Sequence, residues 1–587
     1  MIGIVLLGLF WLVILELNKN TLLGWALTVL ALVLFALLRK SFFPEKGALV
    51  KLGCWLGLLA ALVGILAATR GPYRARPAVD DPGRGVSPIV TVAQGQVQGA
   101  VTSDGKVEVF TGIPYARPPV GELRWREPQD PEPWEGGLQA DHFAPMSMQV
   151  RNPEIYNSLV DIIGYHDYTV SPDDNFRDLV SEDSLYLNIW KPAGDVSGLP
   201  VLVYVHGGSL MTGQPWYADY SGEGLAREGV IVVNMGYRLG VFGFLGDPEL
   251  QAESPNATTG NYGLLDQIKA LEWVRDNIAA FGGDPGNVTL AGESAGSACV
   301  TALCTSPLAE GLFRRAIAES STVTAREPAH SYRSLEDAFA AAEALKKEYG
   351  VSSVEELRAV PAEKIVSAVN TNHHITVDGY VLPRSPYEAL EAGYCIPEAV
   401  LHGYNRTEGS LFILFDNANE KNYEQKVRRV FGDLADRVLA LYPAGNGEQA
   451  KANWIDIYSA LFFNYGHHCL TRQALDNGAA TYEYWFTKYN RRLGYNHGGE
   501  EVYFYGNVPE GSRLYDESDR ELEAVMRSYF VNFITRGDPN GDGLPRWEPA
   551  EPGWIMELGE RVGMTDERMP ELFDVLDELT GWKGEIA

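Results

Sequence analysis

Val288-Thr289-Leu290-Ala291-Gly292-Glu293-Ser294-Ala295-Gly296 joins a short apolar run to a Gly-x-Ser-x-Gly pentapeptide. The leading apolar run is too short for a helix and reads as a buried strand. Gly-x-Ser-x-Gly at its end reads as a nucleophile elbow, a sharp turn from strand into helix. Such a turn holds Ser294 in a strained, exposed conformation, and the small residues beside it let neighbouring backbone approach closely. The helix that follows points its N-terminus at the site, where unpaired N–H groups favour developing negative charge. Gly, Ser and Ala are common, so the pentapeptide gains weight only from a base, an acid and an oxyanion hole elsewhere.

Working outward, Val201-Leu202-Val203-Tyr204-Val205 and Val230-Ile231-Val232-Val233-Asn234 read as two further buried strands. Residues 262–281 place Leu264, Leu265, Ile268, Leu271, Val274 and Ile278 on one helical face, and the helix is expected to stop at Gly282-Gly283. Strands alternating with helices imply a parallel sheet with helices on both faces. Ligands bind such sheets beyond the carboxyl ends of the strands, where Ser294 falls.

A formal charge of −29 over 587 residues excludes nucleic acid as a partner and reads as a solvated surface. The five cysteines (Cys54, Cys299, Cys304, Cys395 and Cys469) are odd in number and lack metal-ligand spacing. They read as free thiols, mostly buried. Three apolar runs, 1–15, 21–38 and 52–68, each approach the length of about 20 residues that spans a bilayer as a helix. The first lacks the basic region and cleavage site of a signal peptide. Residues 1–70 are therefore expected to form a retained anchor of two or three transmembrane helices in contact with the lipid bilayer. Residues 71–88, rich in Pro, Gly, Arg and Asp, read as a linker, and 89–587 as one catalytic domain without internal repeats. Arg39, Lys40, Lys46 and Lys51 precede the third run, whereas Arg70, Arg74, Arg76 and Arg84 follow it, so the positive-inside rule nearly cancels.

A serine hydroxyl needs a base, normally a histidine steadied by a carboxylate. His497 stands in the glycine-rich Tyr495-Asn496-His497-Gly498-Gly499-Glu500, and Glu408 stands in Asn405-Arg406-Thr407-Glu408-Gly409. Serine, acid, histidine is the chain order this elbow requires. His206-Gly207-Gly208-Ser209 follows the strand at 201–205, as an oxyanion loop should, and the N–H of Ala295 supplies a further donor.

With these residues in place the chain resembles type-B carboxylesterases, the α/β-hydrolase family that includes cholinesterases, liver carboxylesterases and many bacterial esterases. The resemblance covers residues 89–560. It is carried also by Phe110-Thr111-Gly112-Ile113-Pro114-Tyr115-Ala116, Leu123-Arg124-Trp125, Glu182-Asp183-Ser184-Leu185-Tyr186-Leu187-Asn188, Phe281-Gly282-Gly283-Asp284-Pro285 and Gly537-Asp538-Pro539-Asn540. It implies an α/β-hydrolase with a large, mostly parallel central sheet flanked by helices, here preceded by transmembrane helices. It implies Ser294 as nucleophile, Glu408 as acid and His497 as base. Backbone donors at Gly208, Ser209 and Ala295 are implied, with Gly207 shaping the turn, and Glu293 and Ser320 resemble polar residues the family places behind the triad. A small-molecule carboxylic ester is the implied substrate, with no cofactor and no metal. The expected protein is a bacterial member held at the plasma or inner membrane, its catalytic domain outside the cytoplasm. The alternatives are a non-catalytic adhesion or scaffold member of the fold, or a hydrolase of amides, carbamates or thioesters.

Three departures stand out. The family usually pairs cysteines where this chain has Ser147 and Ser184, so the loop between them loses a cross-link, and 150–180 is expected to form a pliable wall of the entrance. That loop has no tryptophan for a quaternary ammonium; Tyr156, Tyr165 and Tyr168 are the aromatic candidates, and cholinesterase activity is not expected. Ser209 replaces a third glycine in the oxyanion loop, which demands dihedrals that a residue with a Cβ tolerates. Asp538-Pro539-Asn540-Gly541-Asp542-Gly543 has the look of a calcium loop, but its twelfth position is Pro549, so a polar turn is the expectation.

Overall fold

The computed structural model describes all residues except 1, 82, 164–169, 327–331, 369–373, 415, 490–493, 496, 552, 567–568 and 582–587. The chain divides into two compact units. One comprises 1–76, 151–179 and 509–514; the other comprises 77–150, 180–508 and 515–587.

The larger unit is built on a sheet of twelve strands. In chain order these are β1 (Gly85–Val86), β2 (Ala100–Val101), β3 (Val107–Pro114), β4 (Tyr186–Pro192), β5 (Leu199–Val205), β6 (Ile231–Met235), β7 (Gly283–Glu293), β8 (Arg315–Glu319), β9 (Ala399–Asn405), β10 (Ala480–Phe486), β11 (Trp554–Leu558) and β12 (Val562–Asp566). Their spatial order is β1-β2-β3-β4-β6-β5-β7-β8-β9-β10-β11-β12. From β6 to β11 every neighbouring pair is parallel, and the pairs outside that stretch are antiparallel. β6, β8 and β9 are buried along their whole length, as a sheet covered on both faces requires. The stretch read as a linker contributes β1, whose two residues pair with β2 through backbone alone and so leave no apolar signature.

The helix read at 262–281 runs over Tyr262–Asn277 and tightens into a 3-10 turn at Ile278–Phe281. Gly282 ends it at φ 91°, where a Cβ would be strained. The register between neighbours then sets the site. Val205 pairs with Gly292, Glu293 with Glu319, and Glu319 with Gly403, so the carboxyl ends of β5, β7, β8 and β9 lie side by side.

The smaller unit holds α1 (Ile2–Leu17), α2 (Leu22–Ser41), α3 (Ala48–Ala68) and α4 (Glu154–Ile163). α2 and α3, at 20 and 21 residues, are long and apolar enough to cross a membrane; α1, at 16, is shorter. Trp11, Leu15, Phe35, Leu58 and Leu62 pack between them, while the outward leucines and valines are exposed.

One end of this bundle is polar and buried. Asn20 Nδ2 donates to Leu66 O (2.9 Å) and to Thr69 Oγ1 (2.8 Å), joining the start of α2 to the end of α3. The same end holds the segment that lacks its cross-link. Glu16 accepts from Ser171 N at 3.1 Å and Asn175 Nδ2 at 3.0 Å, and Ser158 Oγ donates to Leu17 O at 2.9 Å. Arg177 donates its backbone N–H to Pro72 O and its Nε to Gly71 O. Tyr73 lies between the guanidinium groups of Arg151 and Arg177. The described part of 150–180 is thus held by the N-terminal helices and the residues after them. Tyr156 is exposed on α4; Tyr165 and Tyr168 lie outside the described residues.

Candidate active site

β7 delivers Ser294 at φ 53° and ψ −124°, and the helix Ala295–Leu303 starts immediately after it. A serine in this region stores about 1–3 kcal/mol of strain, which the surrounding packing must hold. The elbow's glycines are fixed by close approach: a Cβ on Gly296 would lie 2.0 Å from Val205 O, and one on Gly292 2.6 Å from the Gly296 carbonyl carbon. Ser294 N donates to Glu319 O at 2.9 Å, tying the turn to β8.

Ser294 Oγ lies 2.7 Å from His497 Nε2, and His497 Nδ1 lies 2.6 Å from Glu408 Oε2. Glu408 is fully buried in the turn after β9, and its Oε1 accepts from Asn405 N at 2.6 Å. The carboxylate assigns the tautomer: Nδ1 carries the proton, and Nε2 is left bare to accept from the serine. Phe412 and Phe463 flank the imidazole, each ring centre 5.1 Å from it. The structure therefore brings together Ser294, Glu408 and His497, separated by up to 203 residues in sequence.

The His206–Ser209 stretch packs against the elbow. A Cβ on Gly207 would lie 2.9 Å from Ser294 Cβ and 2.8 Å from Glu293 O, so backbone occupies that space. Gly208 folds the loop by accepting at its carbonyl from Met211 N and Thr212 N, both at 3.0 Å. Ser209 sits at φ 56° and Leu210 at φ 59°, in the left-handed region. Ser209 thus occupies a conformation that glycine adopts freely and a Cβ opposes. His206 is buried and its imidazole pKa is lowered to about 4 by that burial, so it is neutral.

Behind Ser294, His497 and Glu408 lies a group of buried acids. Glu293 Oε1 is 3.1 Å from His497 Nε2, the same nitrogen that faces the serine. Burial pushes the Glu293 carboxyl well above its usual range, and the nearby Glu501, Glu500, Glu408 and Glu319 push it further. Burial raises Glu319, Glu500 and Glu501 as well. Ser320 Oγ and Asn405 Nδ2 each donate to Glu500 at 2.5 Å, and Tyr204 OH donates to Glu501. Asn405 therefore holds Glu408 with its backbone and Glu500 with its side chain. Sequence reasoning reached Glu293 and Ser320 and missed Glu319, Glu500 and Glu501. The available signal was their adjacency to Ser320 and His497.

Ser147 and Ser184 stand where the cross-link is missing, and their hydroxyl oxygens are 3.0 Å apart. Ser147 Oγ also donates to Tyr237 O at 2.6 Å, the shorter of its two contacts. Asp538 Oδ1 accepts from the backbone and side chain of Asn540, which bonds onward to Trp547; this is a polar turn. All five cysteines are free. Among the described residues no three His, Cys, Asp or Glu side chains gather as a metal site.

A parallel sheet with this elbow at its carboxyl edge is the α/β-hydrolase architecture. The chain belongs to the carboxylesterase family, whose family model matches residues 86–571. It is 34% identical to the fumonisin B1 esterase of Sphingopyxis macrogoltabida over 529 residues, covering 85% of this chain and 90% of the relative. It is 33% identical to carboxylesterase 1C of Rattus norvegicus over 539 residues, covering 85% and 94%. Carboxylesterase 3 of Homo sapiens is 32% identical over 542 residues, covering 86% and 90%. The chain is a serine hydrolase of carboxylic esters.

Proposed function

We propose that Ser294 is the nucleophile, His497 the general base and acid, and Glu408 the carboxylate that steadies the imidazolium. The observation that carries this reading is the unbroken relay Ser294 Oγ–His497–Glu408, with both contacts under 2.8 Å. Ser294 Oγ attacks the ester carbonyl while His497 Nε2 takes its proton. The tetrahedral oxyanion is met by the N–H groups of Gly208, Ser209 and Ala295, with Gly207 shaping the turn. His497 then protonates the departing alkoxide, and an acyl ester remains on Ser294. Water attacks that ester with His497 again as base, releasing the acid and restoring the serine.

Glu293 fits this cycle as a neutral acid. An ionised carboxylate at 3.1 Å would compete with the serine for protonated Nε2, and burial among other acids shifts Glu293 towards its neutral form. Kinetics on p-nitrophenyl esters of increasing chain length test the assignment. Ser294→Ala is expected to abolish turnover at every length, and retained turnover at the wild-type rate would overturn it.

We further propose that α1–α3 anchor the protein in a membrane, with residues 77–587 on the extracytoplasmic side. Arg39, Lys40, Lys46 and Lys51 at the α2–α3 connection support that end as the cytoplasmic one. At the other end, Arg74 and Arg76 are paired with Asp174 and Asp178. A reporter fused after residue 76 is expected to report the outside, and a cytoplasmic signal would reverse the assignment.

A further inference from the structure

The oxyanion loop is poorly held by its own packing. Gly207 is buried beneath it and Leu210 is its one buried side chain further along, whereas Ser209 and Thr212 are exposed and Gly208, Met211 and Gly213 are half-buried. Ser209 and Leu210 both carry the positive φ that a residue with a Cβ resists. Strained backbone of this kind persists only where neighbours over-determine it. Gly240 N donates to Leu210 O at 2.6 Å, and two residues of one short stretch hold the ends of the loop.

At the far end of the loop, Gln149 Oε1 accepts from Gly213 N at 3.1 Å, and Gln149 Nε2 donates to Gly213 O at 2.7 Å. One carboxamide thus grips both backbone groups of one residue, as a neighbouring strand would. Its second N–H goes to Ser147 O at 3.1 Å, so every strong hydrogen-bonding group of the amide is used except one lone pair. At the near end, Tyr237 OH donates to His206 O at 2.8 Å, and Tyr237 O in turn accepts from Ser147 Oγ at 2.6 Å. Ser147 and Gln149 therefore fix both ends of the loop.

We propose that Gln149 is a positioning residue of ester hydrolysis: by clamping Gly213 it sets where the N–H groups of Gly208 and Ser209 point. This rests on the reading of 207–209 as the oxyanion loop. A glutamine that only closes a turn would make the same bonds, and it would affect stability without affecting the transition state selectively. The two roles are separable, because a loosened oxyanion loop weakens the tetrahedral state and leaves ester binding nearly intact.

The test uses the full chain in detergent or nanodiscs. Gln149→Met keeps the length and removes all three hydrogen bonds. Its kcat is expected to fall about 10- to 100-fold, less than the loss on deleting an oxyanion donor outright, with KM changed less than about 3-fold. Affinity for an aryl trifluoromethyl ketone, whose adduct with serine bears an oxyanion, should fall by a similar factor. Gln149→Glu provides a readout independent of folding losses. Its carboxylate cannot donate to Gly213 O, but its protonated form can, so its kcat relative to wild type should rise as pH falls from 8 to 5. Wild-type kcat and ketone affinity in Gln149→Met, or a pH-independent ratio for Gln149→Glu, would overturn the proposal. Failure of the underlying reading is a different result: Ser294→Ala would then still hydrolyse esters, or the ketone would not bind wild type.

Discussion

Replacing Ser147 and Ser184 together by cysteine restores a cross-link at a place where the structure already brings the two side chains together. Their hydroxyl oxygens are 3.0 Å apart, and the longer Cβ–S bond closes most of the distance to an S–S bond of about 2.05 Å. The residues are 37 apart in sequence, so the chain-entropy model gives about 3.8 kcal/mol of stabilisation. Against this, Ser147 no longer donates to Tyr237 O, a buried bond whose loss costs about 1 kcal/mol. The net gain is about 2–3 kcal/mol. For roughly 500 residues the unfolding entropy near Tm is on the order of 1 kcal/mol/K, so the shift is only about 2–3 °C. The decisive assay is therefore the difference between oxidised and reduced forms of one protein, read by thermal inactivation with and without reductant. Oxidised protein should be the more stable, while kcat falls several-fold in both forms because the Ser147–Tyr237 brace is gone. Equal stability of the two forms, with the disulfide verified by mass, would refute the reasoning.

The other predictions concern charge and the N-terminal helices. Glu408→Gln should lower kcat by about 10³–10⁴-fold with little change in KM, since the amide no longer selects the Nδ1–H tautomer; steady-state kinetics check it. The raised pKa of Glu293 makes the folded state bind a proton that the unfolded state releases. Its contribution to stability is complete below the ordinary carboxylate pKa of about 4.3 and is lost as pH rises towards the folded value, at about 1.4 kcal/mol per unit. Glu293→Gln should therefore flatten the pH dependence of the denaturation midpoint above pH 5, and an unchanged slope would count against it. Glu16→Ala leaves Ser171 N without its acceptor and Asn175 Nδ2 with Asn20 O alone, costing about 1–3 kcal/mol locally. Hydrogen exchange of residues 170–178 should accelerate about 5- to 100-fold in the full chain, and unchanged protection would show that other contacts hold the segment.

The proposed triad was legible because each member sits in a short motif with its own mechanical reason: an elbow for Ser294, a post-strand turn for Glu408, a glycine-rich loop for His497. The parallel core was legible from unbroken apolar runs such as 201–205. Glu319, Glu500 and Glu501 were not, because an acid in sequence reads as surface; the pairing of β7, β8 and β9 turns Glu319 inward, and Glu500 and Glu501 are buried at the start of the short helix Glu501–Phe504. Gln149 was invisible for a similar reason. Its partner is backbone, and no side-chain pattern marks a carboxamide that bonds Gly213. At the N-terminal helices, Glu16 and Asn20 lie between the first two apolar runs, yet they are buried and accept from Asn175 Nδ2.

The proposed role of Ser294 as nucleophile underlies every step of the hydrolysis. Labelling the full chain with a fluorophosphonate and locating the adduct by peptide mass is the measurement that reaches it. One adduct per chain is expected, on Ser294, with esterase activity lost in proportion and no labelling of Ser294→Ala. An adduct on a different serine, or an unlabelled protein that still hydrolyses esters at full rate, would contradict it.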